Sequence, residues 1–302
     1  MQTRLNKILP IEFPLLMAPM FLVSTPKMVK EAICNGIIGA FPSLNYREDD
    51  KLEQDLQILN DYQKDKKGTY AVNLIIKGNS KYKSHLDILV KNEVPLVITA
   101  LGNPIEVIEK VHSYGGKVFC DVTHLYFAQK AEKADGFIAV GNKAGGHLGR
   151  LSLEELIPEL RANFPEKVIV GAGGVATAQD FKAVIENGAD GVSVGTAFIS
   201  STESEVSDSY KKAIIEASAK DIVTTNLLSG AAVSVIQTDY LQKLKDLLKD
   251  KDLSKISGIE MLKNAGIDAD YKKVFIAGKS VENIHKIAPI KSIIEQFKNQ
   301  IF

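Results

Sequence analysis

One histidine of the 302-residue sequence stands among glycines: His147 in AGGHLGR, with Ala144, Gly145 and Gly146 before it and Gly149 after it. An imidazole titrates near neutrality, and with little neighbouring bulk it can meet a substrate and exchange a proton with it. Two more glycine-rich turns follow, in VIVGAGGVAT and GVSVGTAF. Their Gly171, Gly173, Gly174, Gly195 and Thr196 stand where short apolar runs stop. Backbone N–H groups at such positions approach a ligand closely, and ahead of a helix they bind phosphate. A single turn of this kind would only redirect the chain. Three in succession predict a phosphate site beside His147. The other histidines read differently. His85, His112 and His285 read as solvated or satisfied bystanders, and His124, at a predicted helix start, is a weaker site candidate. No metal site is expected, because Cys34 and Cys120 lack metal-type spacing; each sits in an apolar context and reads as a buried, inert thiol.

The elements that must carry these turns follow a repeating pattern. Apolar runs predict strands over 15–18, 37–41, 69–76, 95–101, 117–121, 137–140, 168–170 and 191–194. Helices alternate with them. Thr25 and Pro26 supply an N-cap and a first helical position, Asn103 and Pro104 open another helix, and Ser152 with Glu155 forms a capping box before Leu153, Leu156, Ile157 and Leu160. Pro158 is expected to bend or shorten that last helix. Eight strands alternating with helices predict an α/β fold, a closed (β/α)8 TIM barrel. In such a barrel the catalytic groups sit at the C-terminal ends of strands, with phosphate often held after the seventh and eighth, which here are the Gly173-Gly174 and Gly195-Thr196 turns.

Beyond about residue 203 the pattern changes to a polar, mainly helical stretch that includes LQKLKDLLKDKDLSK. The expected organisation is a barrel over 1–209, a small helical domain over 210–270, and a segment over 271–302 that returns to the barrel. Lysine plus arginine and aspartate plus glutamate both number 37, so no basic field exists to collect nucleic acid. No apolar run reaches membrane-spanning length, and the N-terminal MQTRLNKILPIEFPLLMAPM lacks the regions of a signal peptide. A cytoplasmic protein without a membrane partner is expected, and a homodimer is compatible with the sequence.

The motifs LLMAPMFLVSTP, AVNLI, AGGHLGR, VGAGGVAT, ADGVSVGTAFISSTES and FIAGKSVENI, spread in order over nearly the whole chain, resemble the nitronate monooxygenase (2-nitropropane dioxygenase) family. That resemblance implies an FMN-dependent enzyme that oxidises alkyl nitronates or nitroalkanes with O2. It further implies that Ala18, Pro19 and Met20 line the flavin ring, that Asn73 bonds the cofactor, that Gly173, Gly174, Gly195 and Thr196 hold its phosphate, and that His147 is catalytic. The AGGH motif and glycine loops are shared with FMN-dependent enoyl-acyl-carrier-protein reductases, so a reductase fed by NAD(P)H is the alternative. A flavin-free barrel acting on a phosphorylated metabolite is a third reading. Asp121 departs from the basic or amide residue common near the flavin, Lys143 from an acidic residue before AGGH, and Ala197 from an arginine after the GT pair. No GxGxxG is present, so no separate dinucleotide-binding domain is expected.

Overall fold

Strands that are apolar on both faces must be covered on both faces, and a closed barrel ringed by helices does this. In the computed structural model, which describes residues 2–228, 231–248 and 270–299, eight parallel strands close into that barrel. They are β1 (Leu15–Met17), β2 (Ile38–Pro42), β3 (Thr69–Ile75), β4 (Leu96–Ala100), β5 (Lys117–Val122), β6 (Gly136–Val140), β8 (Val168–Ala172) and β9 (Gly191–Val194). Closure is made by β9 lying parallel to β1, with Leu15 opposite Val192 and Met17 opposite Val194. All eight predicted strands are present, within two residues of their expected limits.

Alternation along each strand builds two cores. In β5, Val118, Cys120 and Val122 face the surrounding helices, and Phe119 faces the barrel axis. The axial core stacks Leu16, Ile38, Ala71, Leu96, Ile98, Phe119, Ile138 and Val170, and Leu5 of the short helix α1 (Arg4–Ile8) joins it with Leu9 and Ile11 to seal the N-terminal end. That end is also pinned by Asp190, whose buried carboxylate accepts from Arg161, Arg4 and the Ile169 amide. Ligand access is thereby left to the opposite, C-terminal end.

Helix starts follow the expected chemistry. Thr25 caps the helix Pro26–Cys34, and Ser152 and Glu155 close the capping box of Leu153–Asn163. The latter helix runs on past Pro158, its buried Leu153, Leu156, Ile157 and Leu160 packed on the barrel. Cys34 corrects the sequence reading: it is exposed at the end of its helix, and only Cys120 is buried.

The stretch read as helical holds helices Asp208–Glu216 and Asp239–Leu248, but also two strands, β10 (Ile222–Thr225) and β11 (Val233–Ile236). These pair antiparallel, and β11 pairs in turn with the two-residue strand β7 (Gly146–His147). Short β-branched runs, IVTT and VSVI, carry the strand preference that the surrounding charge conceals. Much of LQKLKDLLKDKDLSK and the region up to 269 lie outside the described residues. The chain then returns through Phe275, stacked on Tyr210 at 4.5 Å, to the final helix Ile290–Lys298, whose Phe297 packs near Phe181.

Candidate active site

The strand ends surround a cavity of about 390 Å³. From the expected set, Ala18, Pro19, Met20, Asn73, Asp121, Ala144, Gly145, Gly146, His147, Gly173, Gly174, Gly195 and Thr196 all line it. Gly171 does not. It lies within β8, and a Cβ there would meet Val184 at 2.5 Å and Ile157 at 3.1 Å, so its lack of a side chain lets the outer helices approach the strand.

Each wall has a physical mount. After β1, the Ala18-Pro19-Met20 turn is held by the buried Ser24, whose hydroxyl accepts from the Met20 amide at 3.0 Å and donates to the Ala18 carbonyl at 3.2 Å. Asn45 braces the same loop, donating to the Ser24 carbonyl and accepting from the amide of Leu22, which sits at φ 57°. On β3, buried Asn73 donates to the Ile98 carbonyl at 3.2 Å, which leaves its side-chain oxygen for a ligand.

The turn after β8 takes successive positive φ values, 118° at Gly173 and 81° at Gly174, and packs against the β6 loop so closely that a Cβ on Gly173 would lie 2.8 Å from the Ala144 nitrogen. Among the described residues, the amides of Gly173, Gly174 and Val175, and of Gly195 and Thr196 after β9, donate to no acceptor in the protein. Amides without a protein acceptor on a cavity wall are donors open to a ligand, and this set, lining one cavity, fits an anionic oxygen group such as a phosphate. Gly195 differs from the sequence argument in one respect: its φ is −111°, and a Cβ would find only Ala18 at 3.5 Å and Met20 at 3.6 Å. Its backbone does not need glycine; its open face belongs to the cavity.

Some of the wall was not anticipated. The segment around Gly278 lies on the β6 loop, its backbone so near Gly145 that a Cβ on either glycine would sit 2.7 Å from the other's nitrogen. Lys279 donates to the Lys143 carbonyl, and Gly278 donates to the Thr196 hydroxyl at 3.1 Å. That hydroxyl keeps its own proton to donate. Ser193, Ser280 and Tyr210 also reach the cavity, and the Tyr210 hydroxyl donates to the Ile276 carbonyl. Only FIAGKSVENI hinted at Ser280, through motif likeness and not through spacing.

His147 lies seven residues beyond the end of β6, away from that strand's tip; β7 holds it, with His147 opposite Val233 and Gly146 opposite Ser234. The ring is exposed to the open cavity, yet the surrounding walls exclude enough water that burial lowers its pKa below the usual histidine value. Asp121, half-buried on the axial side of β5, is pushed up to about 7 by desolvation. His124 is not part of the cavity: its ring nitrogen caps the helix Leu125–Lys130 by accepting from the Tyr126 amide at 3.3 Å. His85 is neither solvated nor satisfied, being fully buried with no hydrogen-bond partner on either nitrogen and Asp49 at 3.7 Å. No group of three potential metal ligands converges among the described residues. No helix among them is long and apolar enough to cross a membrane.

A closed (β/α)8 barrel with a cavity at the C-terminal ends of its strands belongs to the architecture that enzymes of many chemistries share. Within that class the chain belongs to the nitronate monooxygenase family, whose model matches residues 43–300. It is 28% identical to a probable nitronate monooxygenase of Staphylococcus saprophyticus, over 82% of this chain and 81% of that one. A probable nitronate monooxygenase of Staphylococcus aureus is 25% identical, with 80% of each chain covered. Among solved structures, FabK from Thermotoga maritima matches with a TM-score of 0.86 at 28% identity, covering 100% of this chain and 97% of that one. Nitroalkane oxidase from Streptomyces ansochromogenes shares the fold, with a TM-score of 0.78 at 20% identity and 96% of each chain covered. The protein is an enzyme, a flavin-dependent oxidoreductase.

Proposed function

We propose that the protein is an FMN-dependent nitronate monooxygenase, oxidising alkyl nitronates or nitroalkanes with O2. The observation that carries this reading is the opposition, in one cavity, of unpaired backbone amides after β8 and β9 to an imidazole mounted on β7. Gly173, Gly174, Gly195 and Thr196 would hold the phosphate, Ala18, Pro19 and Met20 would line the ring, and Asn73 would bond it through its free oxygen. FMN, when bound, supplies the electron-accepting ring of the reaction.

The chain's own contribution is position and proton handling. Partial desolvation favours neutral imidazole at His147 near pH 7, so one ring nitrogen can accept the α-proton of a neutral nitroalkane. Its N–H can donate to the oxygens of a nitronate. The mostly apolar walls, among them Ile75, Ile98, Ile138 and Val140, strengthen those hydrogen bonds by excluding water. An oxygen-consumption assay with propionate-3-nitronate and a series of nitroalkanes tests the reading, and absence of turnover across the series would reject it. The match to FabK favours a second reading, an enoyl-thioester reductase supplied by NAD(P)H. Rapid anaerobic bleaching of the bound flavin by NAD(P)H would select that reading over the first.

A further inference from the structure

The cavity contains an electrostatic mismatch. Among the described residues that line it, the titratable ones are Asp121, His147 and Tyr210, and no lysine or arginine is present. Tyr210 is occupied with the Ile276 carbonyl, and His147 is biased toward its neutral form. The elements beside Asp121 present Ile98 and Ala100 from β4, Ile138 and Val140 from β6, and Asn73 from β3, all uncharged. The nearest basic group on its own strand, Lys117, is paired with Asp135 at the far end. The carboxyl of Asp121 accepts no hydrogen bond from any described residue, so an ionised form has nothing to offset it. A second negative charge brought against that carboxyl, with β6 standing between it and the unpaired amides that follow β8 and β9, would be opposed by direct repulsion.

We propose that Asp121 is a charge gate for the site: an anion enters the cavity together with one proton, which the carboxyl of Asp121 takes up from solvent. The ligand class is a small planar oxyanion, the shape and charge of a nitronate group, and the inference leans on the functional reading only in that nitronates are anions. Desolvation already places the carboxyl near the point of proton uptake, at a pKa of about 7. Linkage then sets the sign. Below that pH the carboxyl is protonated and the anion binds without proton exchange. Above it each pH unit removes protons from a group that the bound state needs protonated, so affinity falls by about tenfold per unit.

The test uses the FMN-loaded enzyme and nitrate, a planar anion that stays ionised at every working pH, with binding read from the perturbed absorption of the bound flavin. The wild type should bind nitrate with a constant Kd below about pH 7 and an approximately tenfold weaker Kd per unit above it. Asp121→Asn, isosteric and permanently neutral, should lose that slope and bind nitrate at high pH as tightly as the wild type does at low pH. His147→Gln should keep the slope, because the proton taken up with the anion goes to Asp121 and not to the imidazole. Calorimetry in buffers of different ionisation enthalpy should find close to one proton taken up per nitrate by the wild type at about pH 8; this measurement decides the matter even if Asp121→Asn fails to hold flavin. A flat wild-type profile, an unchanged slope in Asp121→Asn, or no nitrate binding at any pH would overturn the proposal. Absence of nitronate turnover with the nitrate slope intact would instead reject the functional reading and leave the gate standing.

Discussion

Gly195 and Gly173 both line the cavity, and an alanine at each should have opposite consequences. At Gly195 the backbone is at φ −111°, and the added methyl would meet nothing nearer than Ala18 at 3.5 Å. The flavin-free protein should therefore melt at its original temperature or slightly above, since replacing glycine at a compatible site restricts the unfolded chain and stabilises by about 0.4–1 kcal/mol. The methyl nevertheless occupies space beside Met20 that the proposed FMN would need, and overpacking a close-fitting site costs about 1–3 kcal/mol, or roughly a five- to 150-fold loss of flavin affinity. At Gly173 the backbone is at φ 118° and the methyl would lie 2.8 Å from the Ala144 nitrogen. The backbone penalty of about 1–2 kcal/mol and an overlap of about 1–3 kcal/mol sum to roughly 2–5 kcal/mol, a drop of about 5–15 °C in Tm. Differential scanning calorimetry of the flavin-free proteins and equilibrium FMN titration separate the two effects. Unchanged FMN affinity in a stable Gly195→Ala would remove that face of the cavity from the cofactor site, and an unchanged melt in Gly173→Ala would refute the packing argument.

His147→Ala should keep its flavin spectrum while turnover of a neutral nitroalkane falls by about 10²–10⁴, with a smaller fall for the preformed nitronate, from which no C–H proton is removed; wild-type rates on both would remove the residue from the mechanism. Because burial lowers the folded-state pKa of His85, its contribution to stability is intact above the unfolded pKa of about 6.5 and is lost as pH falls through that window toward the folded value. Denaturant titrations of His85→Leu should accordingly show a shallower acid-side decline than the wild type between about pH 6.5 and pH 5, and an identical decline would refute the assignment. A thiol reagent should label Cys34 in the native protein and reach Cys120 only after unfolding, because Cys120 is buried, hydrogen-bonded by the Thr99 hydroxyl and raised to a pKa of about 11; two rapidly labelled thiols in the native state would contradict the structure.

The barrel was legible because its signals are local. Each strand is a short apolar run beside a cap or a glycine turn, as with Thr25-Pro26 and Ser152–Glu155, and the family motifs lie at those turns. The cavity set was legible for the same reason, since Gly173, Gly174, Gly195 and Thr196 each follow a strand end. What failed were residues whose meaning depends on a distant partner. Gly171 looks like its neighbours in sequence, but strand alternation turns its missing Cβ toward Val184 and away from the axis. His85 is at an ordinary polar position until the helices Asp49–Gln63 and Tyr82–Lys91 pack together and enclose it. Cys34 sits in an apolar run, yet the helix phase that buries Ala32 and Ile33 turns it to solvent. Ser280 is brought to the cavity only because Gly278 can lie against Gly145.

The placement of His147 is the strongest case of this long-range dependence, and it bears on how the site can vary. A two-residue strand has too few hydrogen bonds to hold its own geometry, so the backbone that carries the imidazole is held by β11, whose Val233 and Ser234 are its register partners. The same excursion contributes Leu228 and Val233 to the cavity wall, whereas the unpaired amides sit on the barrel strands β8 and β9. The phosphate-type donors therefore follow barrel strands, while the imidazole is carried by the loop after β6, which pairs with the small antiparallel sheet on one side and packs against Gly173 and Gly174 on the other. Changes in β11 can reshape the wall beside His147, and through the β6 loop they reach the Gly173-Gly174 turn, so the placement of the imidazole and the geometry of that turn are coupled.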